Sequence, residues 1–324
     1  MNKKITFVLV LALAVFLVMG SASAGLFDFL GGGSDNTVKI GYLPSDHDAA
    51  LFVADAQGLF ADKNITTELV QFNNGGDLMT AMASGEVDIG YVGITPVLSS
   101  VEKGVPVKVI SAAQTEGSGI VVTDASGINT AQDLKGKNIA TPGEASIQHA
   151  LLTYYLKQNG MSVDDLNVSA MKVPSMNDAL KTKQIDGIVT FQPYVSIAAN
   201  DSSNKVLADS ATILPKHPCC VVVASDDFIK NHEDTTKDIL AIHENATKFI
   251  NDNVKNGSAD KVVELLPKDI VSDNQTEAQS LGSFPFISGI DNSFKADVDS
   301  FQQLEVDLGL LKDKISHKDL YWEA

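Results

Sequence analysis

No arginine occurs anywhere in this 324-residue chain; all 24 basic residues are lysine. A bidentate guanidinium clamp on a carboxylate, sulfonate or phosphate is therefore excluded. Any anion must be met by backbone N–H groups, hydroxyls, amides, histidine or a point-charge lysine. Positive charge is scarce as well, because 41 acidic residues leave a formal net charge of −17. Such a surface is repelled by nucleic acid and by anionic membranes, so neither is expected as a partner.

Cysteine is almost absent. The two that occur are neighbours, Cys219 and Cys220, in the stretch KHPCCVVV. No C-x-x-C or H-E-x-x-H spacing is present. Adjacent residues of a strand point to opposite faces, so the two thiols are not expected to share a metal with His47 or His217. No metal site is expected. A disulfide between neighbours is strained, since trans Cα atoms ~3.8 Å apart fall below the ~4.4 Å minimum of ordinary bridges. Two buried free thiols in a strand are the expectation.

What is present begins with an export signal. Lys3 and Lys4 precede an apolar run from Ile5 to Met19, and Ala22-Ser23-Ala24 supplies a cleavage signal, so residues 1–24 read as a signal peptide. The run is shorter than the ~20 apolar residues of a spanning helix, which favours cleavage over an uncleaved membrane tether. Residues 25–36, rich in Gly, read as a flexible tether. An exported protein, periplasmic or at the cell surface, is expected.

From Thr37, short apolar runs alternate with helical patterns, the signature of an α/β fold. Val38 to Tyr42, Thr67 to Phe72 and Val87 to Val92 read as strands; Asp48 to Gln57 and Asp77 to Ala83 read as helices. A second copy of one module follows about a hundred residues later. DLMTAMASGEVDIGYVG from Asp77 and DALKTKQIDGIVTF from Asp178 each run from helix through Val/Ile-Asp into a strand. Two similar half-structures imply two lobes, with residues 37–122 and 224–324 in the first and 123–223 in the second. Gly119 to Val122 and Cys220 to Ala224 are the expected crossings between them, forming a hinge.

Four ordered motifs over about 200 residues carry a family resemblance. They are GYLPSDHDAALFVADAQGLFADKNI, MASGEVDIGYVGITP, DLKGKNIATPGEASIQHALL and FQPY. The chain resembles the solute-binding proteins of ABC importers for nitrate, sulfonate and taurine, which are related to thiamine-pyrimidine precursor synthases. The resemblance implies a two-lobed periplasmic-binding-protein fold of type II. Each lobe would be a mixed, mostly parallel sheet flanked by helices, the two joined by two hinge strands. It implies a monomeric, non-enzymatic capturer of a small polar or anionic metabolite that delivers its solute to a membrane permease and carries no cofactor. The alternative is a thiamine-pyrimidine precursor binder, or an enzyme of the synthase type.

Candidate ligand contacts follow from these motifs. In the first lobe they are Ser45 and His47 in the loop after the opening strand, Asn74, Gly75 and Gly76 before a helix, and Thr95 and Gln114. In the second they are Gly143, Ser146, His149, Gln192 and Tyr194. Ser146 opens a helix after a strand, where free N–H groups form an anion site without arginine. Ser146 and His149 lie three residues apart with no acid placed to orient the imidazole, so a nucleophile–base pair is not expected. Gln192 stands where an acid would hold an amine, which disfavours taurine and leaves Asp46, Glu116 or Glu144 for that role.

Overall fold

A computed structural model describes residues 37–323; the expected signal peptide and tether lie outside them. Two five-stranded sheets organise the chain. The first contains β1 (Thr37–Tyr42), β2 (Thr66–Gln71), β3 (Ile89–Gly93), β4 (Val107–Thr115) and β10 (Pro218–Ser225), in the order β2-β1-β3-β10-β4. The second contains β5 (Ser118–Thr123), β6 (Asn138–Thr141), β7 (Asn167–Ala170), β8 (Gly187–Phe191) and β9 (Asn204–Asp209), in the order β7-β6-β8-β5-β9.

The two orders superpose strand for strand, and the repeated module accounts for it. Helix α2 (Gly75–Ser84) feeds β3, and helix α5 (Val173–Lys181) feeds β8, the middle strand of each sheet. Both strands are buried from end to end, as the apolar runs IGYVG and GIVTF require when both faces are covered. Each sheet is mixed. β1 and β3 pair in parallel, as do β6 with β7 and β8, whereas β10 and β5 each run antiparallel to both neighbours.

By strand pairing, residues 118–122 belong to the second sheet and residues 218–223 to the first. The chain therefore changes sheet at Glu116-Gly117 and returns between Asp209 and Pro218, a few residues from the boundaries read from the sequence. The runs SGIVVT and PCCVVVAS are equally apolar in either sheet, and only their hydrogen-bonding partners decide the matter. The two passages touch each other. Lys216 N donates to Glu116 Oε1 at 2.7 Å, and Glu116 N donates to the His217 carbonyl at 3.2 Å. Glu116 and Gly117, with φ of 64° and 76°, make the sharp turn between β4 and β5.

Helices cover the sheets. Helix α1 (Ala49–Ala56) and the long α8 (Glu233–Lys255) pack on each other and on the first sheet, which α3 (Ile94–Glu102) also covers; α4 (Ile147–Gln158), α5, and α6 (Tyr194–Ala199) lie on the second. Helix α8 buries Ile239, Ile242, His243, Ala246 and Ile250, a stripe at the helical period, and exposes its charged face. Full burial of one such isoleucine stabilises by roughly 1.5–3 kcal/mol. The fully buried His243 donates from Nε2 to the Ala112 carbonyl at 2.9 Å and accepts from the Tyr91 hydroxyl. Burial pushes its pKa down to about 4, so it sits neutral in the core. Among the described residues, no helix is long and apolar enough to cross a membrane.

Candidate functional site

Where the ends of β1, β3 and β10 face the ends of β6 and β8, side chains from both sheets enclose a cavity of about 40 Å³. The first sheet's elements contribute Leu43, Ser45, His47, Asp48, Asn73, Asn74, Gly75, Gly93, Pro96, Cys219 and Cys220. The second sheet's contribute Pro142, Ala145, Ser146, Ile147, Gln148 and Phe191. No lysine lines it among the described residues. The volume is room for a few water-sized groups.

Three helices begin at this cavity. Asn74 caps α2 by accepting the Asp77 N–H at 2.9 Å. Ser146 caps α4 by accepting the His149 N–H at 3.2 Å, while its own hydroxyl donates to the Gly143 carbonyl at 2.6 Å. Gly93 precedes α3. The first backbone N–H groups of a helix have no partner within the helix, and its dipole adds partial positive charge there. The cavity is thus met by helix N-termini from both sheets.

Of the twelve residues expected to contact a ligand, Ser45, His47, Asn74, Gly75 and Ser146 line the cavity; the other seven do not. Thr95 is buried and donates its hydroxyl to Glu305 on helix α10 (Asn292–Asp307). Gln114 lies buried on β4 beside Cys220. Gly143 adopts φ +130°, a conformation that excludes side chains, and serves the turn into α4; Gly76 is exposed on the first turn of α2. His149 Nδ1 is buried without a hydrogen-bond partner among the described residues, and the Ser146 hydroxyl donates to the Gly143 carbonyl instead.

Gln192 and Tyr194 act as ties between the two sheets' loops. The Ser45 hydroxyl donates to the Gln192 carbonyl at 2.8 Å, and the Tyr194 hydroxyl donates to the Pro44 carbonyl at 2.9 Å. The Gln192 amide donates to Ser283 Oγ at 3.1 Å and accepts the Ser196 N–H. Glycine at 75 answers first to packing, since a Cβ there would sit 2.6 Å from Pro96 Cγ. Neither Asp46, Glu116 nor Glu144 lines the cavity. The Asp46 carboxylate accepts from Ser280 at 2.6 Å behind the loop, and burial pushes its pKa up to about 6.

Five polar lining residues escaped the sequence reading: Asp48, Asn73, Gln148, Cys219 and Cys220. Asp48 is buried and accepts the Leu43 N–H at 2.9 Å; desolvation pushes its carboxyl up to about 8, so it holds its proton at neutral pH. Gln148 donates to Ser118 Oγ at 2.9 Å. Neither carried a motif that marked it.

The cysteines correct an expectation. They do not point to opposite faces: their sulfurs lie 4.0 Å apart, and each is 3.8 Å from His47 Nδ1. Register shifts of β10 against β4 on both sides of Cys220 break the alternation of side chains and turn both thiols to the same side. Both thiols are free. Burial pushes the Cys219 thiol up, but its contacts with Cys220 and the His47 imidazole outweigh burial and hold it well below the ordinary thiol range. The imidazole itself is fixed from behind, with Nε2 at 3.2 Å from the Gly117 carbonyl and Phe284 packed edge-on at 4.7 Å. A carbonyl accepts only, so Nε2 carries a proton and Nδ1 faces the sulfurs.

Two mixed α/β sheets with a cavity between their strand ends, entered by helix N-termini, define the periplasmic-binding-protein fold. The chain belongs to the NMT1-like family, whose pattern matches residues 31–267. It is similar to the taurine-binding periplasmic protein of Escherichia coli, with 29% identity over 57% of this chain, and it spans only 58% of that relative's length. Among solved structures, it resembles the alkanesulfonate-binding protein SsuA from Xanthomonas axonopodis pv. citri bound to MOPS. The TM-score is 0.77 at 20% identity, covering 90% of this chain and all of that one. It also resembles the ligand-binding component of an ABC-type import system from Staphylococcus aureus with zinc bound. There the TM-score is 0.76 at 22% identity, covering 89% and 97% of the two chains.

Proposed function

We propose that this chain is the exported solute-binding component of an ABC importer, taking up a small polar or anionic solute of the sulfonate, nitrate or taurine type. The observation that carries the reading is the meeting of α2 and α4, one from each sheet, with their N-termini at a single cavity that, among the described residues, no lysine lines. Backbone N–H groups and the amides of Asn74 and Gln148 supply donors there, as anion recognition at helix N-termini requires. The small volume favours a compact solute.

The two sheets correspond to two lobes that close on the solute about the Glu116-Gly117 and Asp209–Pro218 passages. The Ser45–Gln192 and Tyr194–Pro44 hydrogen bonds hold the closed arrangement. A closed monomer presents both lobes together to a membrane permease, and no chemistry is performed on the solute.

A thermal-shift screen of the purified chain against sulfonates, taurine, nitrate, bicarbonate and thiamine pyrimidines tests this. A solute present at 100 times its Kd stabilises by about 2.7 kcal/mol. A raised melting temperature with the solute recovered unchanged is the expected result. Consumption of a pyrimidine precursor, with no shift from any anion, would replace this reading with the synthase alternative.

A further inference from the structure

We infer that His47, Cys219 and Cys220 form a binding site for a divalent thiophilic metal ion of the zinc type, with an open coordination position toward the cavity. The three donor atoms are buried and lie within 4.8 Å of one another. They form a nearly equilateral triangle of 4.0, 3.8 and 3.8 Å. Zinc–sulfur and zinc–nitrogen bonds of about 2.3 and 2.0 Å at tetrahedral angles separate two sulfurs by roughly 3.8 Å and sulfur from nitrogen by roughly 3.5 Å. The donors therefore need to move by only a few tenths of an ångström to share one ion.

Two features outside the triangle are arranged for it. The Gly117 carbonyl accepts from Nε2 of His47, which leaves Nδ1 as the donor atom of the neutral imidazole. Backbone carbonyls fix metal-binding imidazoles in this way. Only glycine permits the contact, because a Cβ at position 117 would lie 2.4 Å from that nitrogen. The irregular register of β10 is the second feature, since a regular strand would send one thiol to the far side of the sheet.

Ligand chemistry names the class of ion. Two sulfurs and an imidazole suit zinc or cuprous ion and reject magnesium and calcium. In a buried setting, two thiolates are neutralised by a dication and left with net charge by a monocation, so the divalent ion is favoured. Three protein ligands leave a fourth tetrahedral position, and all three line the cavity. A metal there would supply a Lewis-acidic open position that the side chains lining the cavity do not offer. The metal assignment stands on the triad alone; that the open position receives the imported solute rests on the reading proposed above.

The test uses the reduced full chain, purified without air and stripped of metal. Cobalt(II) titration should give one equivalent bound, with an intense near-ultraviolet thiolate-to-cobalt band that zinc bleaches. Cys219→Ser and Cys220→Ser should each weaken zinc binding by about 100-fold or more against a competing chelator. Absence of the band in the unmutated chain overturns the site whether or not the variants fold, as does zinc affinity unchanged in both folded variants. Cuprous ion binding where zinc does not would overturn the divalent assignment. Repeating the solute screen with and without zinc separates the two readings. Zinc bound with no solute response retains the metal and sinks solute capture, and solute bound with no zinc does the reverse.

Discussion

Replacing Gly117 with alanine strikes the point where the passage between sheets meets the His47 ring. Two costs can be assigned from geometry. The residue has φ +76°, where a Cβ costs an L-residue about 1–2 kcal/mol. That Cβ would also fall 2.4 Å from His47 Nε2, 3.0 Å from Cε1 and 3.1 Å from Phe284 Cγ. The ring is buried among these groups, so it must turn away and give up its hydrogen bond to the Gly117 carbonyl, worth about 0.5–1.5 kcal/mol. A loss of about 1.5–3.5 kcal/mol is expected in urea denaturation. Gly58→Ala is the matched control, with φ +71° and nothing within 4 Å of the added carbon, and should lose only about 1–2 kcal/mol. The difference between the two isolates the contact with His47. If Gly117→Ala is no more destabilising than Gly58→Ala, the ring is not held as described, and its role in orienting Nδ1 falls with it.

Two further outcomes are expected. Glu305 is buried, and desolvation, with Glu102 adding to it, pushes its carboxyl up to about 7 from 4.5. Its proton is therefore held more tightly in the folded chain than in the unfolded one. Stability is then lost as pH rises from about 4.5 through 7, and Glu305→Gln, which can still accept from Thr95, should flatten the pH profile by about 1–3 kcal/mol; parallel profiles would refute the assignment. Ser146→Ala should cost about 1 kcal/mol of stability through loss of the α4 cap, with weaker solute affinity in the same preparation. Unchanged affinity would show that the cap serves the helix alone.

How far the residues disclosed their own arrangement varies with the range of the interaction. The strands built on IGYVG and GIVTF, the helix opened by Ser146, and the twofold repeat of helix and strand were legible, because each depends on neighbours in the chain. Half of the candidate site was not. Ser45 lines the cavity, yet its hydrogen bond to Gln192 spans 147 positions and is set only when the sheets meet. Asp48 became a lining residue because α1 begins under the first loop, and nothing in SDHD distinguishes it from Asp46. The cysteines were misjudged for the clearest reason. Alternation is the rule for a strand, and an irregular register against β4 is a property of the pair of strands, invisible in either one.

The position of β10 also governs the order in which this protein can be assembled. All five strands of the second sheet lie within one continuous stretch, residues 118–209. The first sheet cannot close until residue 225 has been made, because β10 is the strand that links β3 to β4. On a ribosome the second sheet is therefore complete while the first is still two separate pieces, β2-β1-β3 and an unpartnered β4, with their apolar edges exposed. A chain in this condition depends on staying unfolded, or on being shielded, until its last central strand arrives.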